Sequence, residues 1–212
     1  KAYTTDKIRN VVILGHGGCG KTTLTEAMAY LGGLTSRLGK VEDGTTISDF
    51  SKEEQKREIS IHTSLIPIEW NDYKLNVLDT PGYFDFVGEV EEAISVADGA
   101  IIVVSAKAGI EAGTEKAWEI CEKYHLPRMF FVTDMDIDEV SYRKVVEDLT
   151  ALYGKKIAPF NMPVREDGKL VGYVNVIQKK AFQWMNKEAI PAEVPDYSEE
   201  YLEQYHNTLM EA

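Results

Sequence analysis

The feature that most restricts the fold of this chain is a glycine-rich segment between an apolar run and a helix-forming run. Residues 8–14 read IRNVVIL, residues 15–22 read GHGGCGKT, and residues 22–31 have helical character that ends at Gly32-Gly33. The apolar run predicts a buried parallel strand. Glycines in the middle segment allow successive backbone N–H groups to point into one concavity, and the following helix adds its N-terminal dipole. The sequence therefore predicts a phosphate-binding loop between a strand and a helix.

The glycine-rich segment fits the pattern G-x-x-x-x-G-K-[ST] without a mismatch. In this pattern Lys21 reaches the β- and γ-phosphates of a nucleotide, and the Thr22 hydroxyl binds Mg²⁺. We expect the nucleotide to be held by the following residues of the loop and the first helical turn: Gly15, His16, Gly17, Gly18, Cys19, Gly20, Lys21, Thr22 and Thr23.

A second segment, NVLDTPG at residues 76–82, follows an apolar strand. Asp79 can hold Mg²⁺ there, directly or through water, and the Gly82 N–H can approach a γ-phosphate because no side chain blocks it. Behind a phosphate-binding loop, this segment favours a switch that the γ-phosphate tethers and its loss releases.

The order of apolar runs defines the fold class. Strands alternate with helices through residue 154, which predicts an α/β fold with a mostly parallel sheet and helices on both faces, the P-loop NTPase arrangement. Asn71-Asp72 predicts a hairpin that adds an antiparallel edge. Residues 34–60 are interpreted as one long polar loop, and Gly154 ends a helix whose inward residues are expected to be Val145, Val146, Leu149 and Leu152.

The pattern changes after residue 155, where strands flank an Asp167-Gly168 turn and a helix follows from residue 197. We interpret residues 1–157 as the nucleotide-binding domain and residues 158–212 as part of a small inserted α+β subdomain.

Composition limits the partners. A net charge of −12 argues against autonomous nucleic-acid binding by this fragment, because such proteins are normally basic. No apolar run approaches the ~20 residues that a membrane span needs. The two cysteines have no metal-binding spacing, and a thiol in the phosphate loop suggests a reducing compartment, so we expect a cytoplasmic protein.

Several segments together resemble the GTP-binding domain of elongation factor G, closest to its divergent elongation-factor-G-like and ribosomal-protection branch. They are GHGGCGKTT, VEDGTTISDF, REISIHTS, DTPGYFDFVGEV, VADGAIIVVSAKAGIEAGTEKAW and LPRMFFVTDMD. The resemblance implies GTP or GDP with Mg²⁺ as ligands, and the ribosome as a partner of the full-length protein. It also implies GTP hydrolysis during elongation and translocation.

Two departures from the family concern the switch segments. The family has Arg-Gly-Ile-Thr where this chain has Arg57-Glu58-Ile59-Ser60, so Ser60 replaces the threonine as a Mg²⁺ ligand beside Thr22 and Asp79. The family places His after Asp-Thr-Pro-Gly to orient the attacking water, and Tyr83 stands there in this chain. The expected catalytic positions are Lys21, Gly82 and Tyr83, with Tyr83 as a packed or lid residue the structural alternative. We expect slow or ribosome-dependent hydrolysis, because a phenol is a poor general base at neutral pH.

The third departure concerns the base. The family reads guanine with Asn-Lys-x-Asp, and this chain has Thr133, Asp134 and Asp136 at the matching positions. Asp136 keeps the carboxylate that accepts hydrogen bonds from guanine, whereas Asp134 is too short to cover the base and adds negative charge. We therefore expect GTP preference with weakened affinity; Asp136 as the N-cap of the next helix is the structural alternative.

Two other functions remain open from the sequence. One is a nucleotide-binding module without effective hydrolysis, which the residues at positions 83, 133 and 134 allow. The other is a partition-type P-loop ATPase, although those enzymes need Lys at position 16, where this chain has His.

Overall fold

The computed structural model describes residues 2–185 and 188–211. The chain forms two compact units, of which the first ends at Thr133 and the second begins at Asp134.

The first unit is an α/β layer structure around a five-stranded sheet. Its strands lie in the order β2-β3-β1-β4-β5, and all neighbours are parallel except β2 and β3. The strands are β1 (Ile8–Gly15), β2 (Ser64–Trp70), β3 (Tyr73–Asp79), β4 (Gly99–Ser105) and β5 (Arg128–Thr133), and the helices are α1 (Lys21–Leu31), α2 (Lys52–Arg57), α3 (Val87–Ser95) and α4 (Ala112–Lys123). The α/β class, the mostly parallel sheet and its antiparallel edge are confirmed.

Alternation along β1 explains why helices cover both faces of this sheet. Val12 and Leu14 pack into one apolar cluster with residues of α3 and α4, whereas Ile13 packs into another with residues of α1. Successive strand side chains point to opposite faces, so an uninterrupted apolar strand must be covered twice.

The hairpin between β2 and β3 turns at Asn71-Asp72, as expected. Asn71 has φ 46° and Asp72 has φ 64°, the two positive values that a two-residue turn needs to match the strand twist.

Segment 34–60 is more structured than a polar loop. It contains α2, which begins with a capping box in which the Ser51 hydroxyl accepts from the Glu54 N–H and the Glu54 carboxylate accepts from the Ser51 N–H. The Glu26 carboxylate of α1 also accepts from the Gly39 and Ile47 N–H groups, at 2.9 and 2.8 Å. The interpretation of an uninterrupted loop was therefore wrong, because local capping and a buried helix carboxylate organise the backbone.

The second unit pairs an antiparallel sheet with two helices. Its strands lie in the order β6-β7-β8-β9, and the elements are α5 (Tyr142–Tyr153), β6 (Asn161–Glu166), β7 (Lys169–Asn175), β8 (Lys180–Met185), β9 (Glu188–Ala192) and α6 (Asp196–Glu211). The turn at Asp167-Gly168 lies between β6 and β7 as expected. Strand β9 was not predicted, because residues 190–196 are interpreted from the sequence as a connection to the last helix.

Helix α5 explains why the compact units divide earlier than the expected domain boundary after residue 157. Its residues Tyr142 and Val146 pack in one apolar cluster with β6, β7, β8 and α6. Val145, Val146 and Leu149 are buried as expected, but Leu152 is 55% exposed, so its inward assignment was wrong. Leu152 lies in the last turn of α5, where helical periodicity overestimates burial.

Candidate nucleotide-binding site

The candidate site lies where parallel strands of the first unit end. The glycine-rich loop follows β1, Asp79 ends the neighbouring β3, and Thr133 ends β5. In open α/β sheets, ligands bind in the crevice outside the carboxyl ends of the strands, beside the strand where the order reverses. β1 is that strand here, with β3 on one side and β4 on the other.

Three of the loop glycines have backbone conformations that favour glycine. Gly15, Gly18 and Gly20 have φ values of 142°, 82° and 94°, and a Cβ on Gly15 would also lie 2.5 Å from the Val103 carbonyl oxygen. These residues let the chain curl tightly between β1 and α1.

Lys21 stabilises the curled loop from inside. Its side chain is nearly buried, and its Nζ donates hydrogen bonds to the carbonyls of Gly15 at 3.1 Å and His16 at 2.7 Å. The ammonium group is thus held inside the loop, where a bound phosphate would lie next to it. Thr23, at the start of α1, is exposed.

The His16 side chain contacts the start of α4. Its Nδ1 accepts from the Gly113 N–H at 3.3 Å, and its Nε2 lies 3.5 Å from a Glu111 carboxylate oxygen. Because Nδ1 is the acceptor, Nε2 carries the proton and points it at Glu111. The side chain therefore anchors the loop to α4, a role that no sequence pattern indicated.

Hydroxyl and carboxylate groups converge beside the loop. The Thr22 and Ser60 hydroxyl oxygens are 3.2 Å apart. Asp79 is 1% exposed, and no described group makes a hydrogen bond of good geometry to its carboxylate oxygens, although the Ser48 and Thr22 hydroxyls lie near enough to stabilise its charge. Burial raises the pKa of Asp79 to about 6, and the Ser48 and Thr22 hydroxyls and the Lys21 charge oppose that shift only in part. A buried carboxylate with no well-formed hydrogen bond is costly to keep ionised unless a cation neutralises it.

Asp49 is a second acidic group at this place that sequence reasoning missed. It is 4% exposed with one oxygen unpartnered, and burial raises its pKa while a hydrogen bond with Ser60 lowers it. Its charge adds to the effect of burial in raising the pKa of Asp79. Asp49 lies in the segment interpreted as a loop, and the burial that makes it noticeable depends on tertiary contacts that the sequence does not encode locally.

Gly82 and Tyr83 lie against the loop. A Cβ on Gly82 would overlap the Lys21 ammonium and lie 2.7 Å from the Gly17 nitrogen. The Tyr83 ring contacts Gly17 and is 45% exposed. A cavity of about 260 Å³ lies beside these residues, between α3 and α4; its lining includes Pro81, Val87, Val90, Ala117 and Ile120.

The candidate base-reading residues are divided between the two units. Thr133 belongs to the first unit, and its hydroxyl donates to the Cys19 carbonyl at 2.8 Å. Asp134 and Asp136 belong to the second unit, where residues 135–139 form a turn and Asp136 is exposed. The N-cap of α5 is Ser141, so the N-cap alternative for Asp136 was wrong.

Arg165 supports this turn and was also missed. Its guanidinium donates to the carbonyls of Met135 and Ile137, the latter at 3.2 Å, and to the Gly168 carbonyl at 2.8 Å. The residue lies in β6, well outside the segment that sequence motifs mark.

Two features are absent from the described residues. No three or more His, Cys, Asp and Glu side chains in that part of the chain form a metal-binding group. None of its helices has the length and apolarity to cross a membrane.

A glycine-rich loop between a parallel strand and a helix, with Lys21 inside it and a buried aspartate on the next strand, defines a P-loop nucleotide-binding domain. Residues 6–206 match the family described as the elongation factor Tu GTP binding domain, and the chain belongs to that family. The membership in the elongation factor G group inferred from the motifs is confirmed by the relatives.

The relatives are longer proteins. The chain is 39% identical over 181 residues to the mitochondrial ribosome-releasing factor 2 of Anopheles gambiae, a match that covers 85% of this chain and 25% of the relative. It is 30% identical over 213 residues to elongation factor G of Granulibacter bethesdensis, with 97% and 31% covered. The crystal structure of the Thermus thermophilus protein ttk003000868 superposes with a TM-score of 0.92 at 40% identity, and the match covers 97% of this chain and 31% of that chain. The chain thus spans about a quarter to a third of the length of these relatives.

Proposed function

We propose that this chain is the GTP-binding domain of an elongation-factor-G-like translational GTPase. It binds Mg²⁺–GTP and hydrolyses it slowly, or when the ribosome stimulates it. The observation that carries the proposal is Asp79, a buried carboxylate whose oxygens have no well-formed hydrogen bond among the described residues and which is close enough to the loop's Lys21 to interact with its charge. That arrangement suits a cation held next to a phosphate.

The donor set fits Mg²⁺. Thr22 and Ser60 supply hydroxyl oxygens 3.2 Å apart, and Asp79 supplies a carboxylate, directly or through water. Mg²⁺ prefers such oxygen ligands and keeps several waters and substrate phosphates, so it does not need a cluster of three acidic side chains. When bound, the metal neutralises charge that develops on the β- and γ-phosphates.

The phosphates are held by backbone and by Lys21. The loop N–H groups and the N-terminus of α1 attract the anionic triphosphate, and Lys21 supplies a positive charge fixed by two carbonyls. The Gly82 N–H donates to the γ-phosphate when it is present, because Gly82 lies against both Lys21 and Gly17.

In the reaction, a water oxygen forms a bond to the γ-phosphorus while the bond between the γ-phosphorus and the β–γ bridging oxygen breaks. GDP leaves with the electron pair, and the water proton ends on inorganic phosphate. Tyr83 orients that water through its hydroxyl and does not act as a strong base. Because phosphoryl transfer depends mainly on positioning and charge stabilisation, a weak base slows hydrolysis without abolishing it.

Guanine is selected by Asp136, with Thr133 and Asp134 at the other two positions of the motif. Adenine lacks the pair of hydrogen-bond donors that guanine offers to a carboxylate. With ATP bound, the Asp136 carboxylate would therefore have no base donor to accept from. Asp134 weakens binding through its negative charge, so affinity for GTP and GDP is lower than is usual for the family.

The ribosome is the proposed partner of the full-length protein. Two relatives carry the names ribosome-releasing factor 2 and elongation factor G. We place the protein in the cytoplasm; the mitochondrial relatives make a ribosome-containing organelle the alternative. With a net charge of −12, this fragment itself does not bind nucleic acid.

The test is a nucleotide panel followed by single-turnover hydrolysis. The full-length protein should bind GTP and GDP in preference to ATP and XTP, Lys21→Ala should abolish binding, and ribosomes should accelerate hydrolysis. Equal competition by ATP would contradict the guanine assignment and revive the partition-type ATPase, which the family match disfavours. Binding without hydrolysis in the presence of ribosomes would identify a nucleotide-binding module instead.

A further inference from the structure

Gly17 differs from the other glycines of the phosphate loop. Gly15, Gly18 and Gly20 have positive φ values that favour glycine, whereas Gly17 does not. Its backbone conformation is therefore open to any L-residue. What opposes a side chain at position 17 is therefore not its backbone conformation but its surroundings.

The neighbour that excludes a side chain is the Tyr83 ring. A Cβ on Gly17 would lie 2.8 Å from Tyr83 Cζ, 2.9 Å from Cε2 and 3.2 Å from Cε1, and Cβ contacts below 3.0 Å are essentially never seen. These three atoms form the hydroxyl end of the ring. The end of Tyr83 that carries the phenol oxygen therefore lies against the phosphate loop only because residue 17 has no side chain.

We propose that Gly17 is a positioning residue for hydrolysis, because it admits the Tyr83 hydroxyl to the place where the attacking water is oriented. The proposal rests on the GTP hydrolysis proposed above. Position 17 and position 83 form one steric unit, in which the present position of the Tyr83 ring requires glycine at 17.

The surroundings allow this contact to be changed without disrupting the fold. The cavity of about 260 Å³ between α3 and α4 adjoins Tyr83, and the Tyr83 side chain is 45% exposed. A ring displaced by a methyl group at position 17 has space to occupy, so we expect Gly17→Ala to move Tyr83 and leave the protein folded.

A double-mutant cycle on the full-length protein tests the unit. Single-turnover hydrolysis at saturating GTP, with ribosomes, is compared for the wild type, Gly17→Ala, Tyr83→Phe and the double variant. Because a displacement of about 1 Å can cost about 10²-fold in rate, we expect Gly17→Ala to lose at least about tenfold. The same substitution should lose less than about twofold when Tyr83 is already Phe, since the hydroxyl that it displaces is absent.

Gly88→Ala is the matched control. Gly88 lies in α3, has no positive φ, and has open space where a Cβ would stand, with no neighbouring atom within 4 Å. The hydrolysis rate of this variant should remain within about twofold of the wild type. If Gly17→Ala and Tyr83→Phe reduce the rate additively, or if Gly17→Ala leaves it unchanged, the proposal is wrong.

A spectroscopic measurement separates this proposal from the proposed function. In ¹⁹F NMR of protein labelled with 3-fluorotyrosine, the Tyr83 signal is the one that Tyr83→Phe removes. Gly17→Ala should shift that signal and Gly88→Ala should not. Absence of GTP hydrolysis in the wild type would refute the proposed function, and the ¹⁹F shift would still test the contact between Gly17 and the Tyr83 ring. A Tyr83 signal that Gly17→Ala does not shift would refute that contact.

Discussion

The Thr133 hydroxyl donates a hydrogen bond of 2.8 Å to the Cys19 carbonyl, and this bond connects the end of β5 to the phosphate loop. The Thr133 methyl group also approaches the loop, since a Cβ on Gly20 would lie 3.2 Å from it. Thr133 therefore acts on the loop that we propose holds the phosphates. Thr133 occupies the position at which the resembled family has the asparagine of its base-reading motif. Its hydrogen bond to the Cys19 carbonyl requires only a donor group, which the hydroxyl supplies.

We predict that Thr133→Val weakens binding of both GTP and GDP. The substitution keeps the shape but leaves the Cys19 carbonyl without this donor, at a cost of about 1 kcal/mol, or about fivefold in affinity. Calorimetric titration of the full-length protein measures it. Thr133→Ser retains the donor and should bind within about twofold of the wild type; equal losses in both variants would mean that the methyl contact, not the hydrogen bond, matters.

A second prediction concerns Glu58, the residue after α2. It has φ 55° and ψ 36°, a left-handed conformation in which glycine is favoured. We expect Glu58→Gly to stabilise segment 34–60 locally by about 1 kcal/mol. Hydrogen exchange of the Ile59 amide, which bonds to the Glu54 carbonyl at 3.3 Å, should become slower.

Glu58→Ala is the control for this effect. Alanine removes the carboxylate but keeps the Cβ, so it should give no such protection. Slower exchange in the alanine variant would show that charge, and not backbone conformation, limits the stability of this segment.

The sequence was sufficient for the sheet but not for the polar core of the site. Apolar runs predicted β1 to β5 because each strand carries its own hydrophobic signal. The α2 helix had a local signal too, since Ser51 and Glu54 have the spacing of a capping box, but the high charge of the segment obscured it. Glu26 carries no such signal, because its carboxylate accepts from backbone groups distant in sequence, and Asp49 is likewise buried without a local pattern that indicates it.

The third prediction is a pH dependence caused by Asp79. Its folded-state pKa of about 6 lies above its ordinary value of 3.8, so the unfolded chain ionises first as the pH rises. The free energy of unfolding of nucleotide-free protein should therefore fall between about pH 4 and pH 6 and level off above, by on the order of 1–3 kcal/mol from this group.

Urea titrations of nucleotide-free protein in EDTA measure this dependence. Asp79→Asn has no carboxyl to ionise, so the difference in stability between wild type and variant should change across that range and remain constant above it. A constant difference from pH 4 to pH 8 would contradict the raised pKa. Added Mg²⁺ and GDP should stabilise the wild type at pH 8 much more than the variant.

The last prediction connects Arg165 with base selection. Its guanidinium holds the carbonyls on either side of Asp136, those of Met135 and Ile137. Loss of these hydrogen bonds frees the turn that carries the proposed guanine-reading carboxylate. We expect Arg165→Met to weaken GTP binding about three- to tenfold.

Inosine triphosphate makes this prediction specific. Inosine lacks the exocyclic amino group of guanine, so it offers Asp136 one donor where GTP offers two. A displaced Asp136 should therefore reduce the affinity for GTP more than that for inosine triphosphate. Arg143→Met is the control, because Arg143 belongs to the same unit and its guanidinium bonds to Glu147 at 2.8 Å and to the Tyr201 hydroxyl at 2.6 Å, so it reports the loss of an arginine that supports the second unit elsewhere. Equal losses for both nucleotides in the Arg165 variant would show that Arg165 supports folding of the second unit and not base recognition.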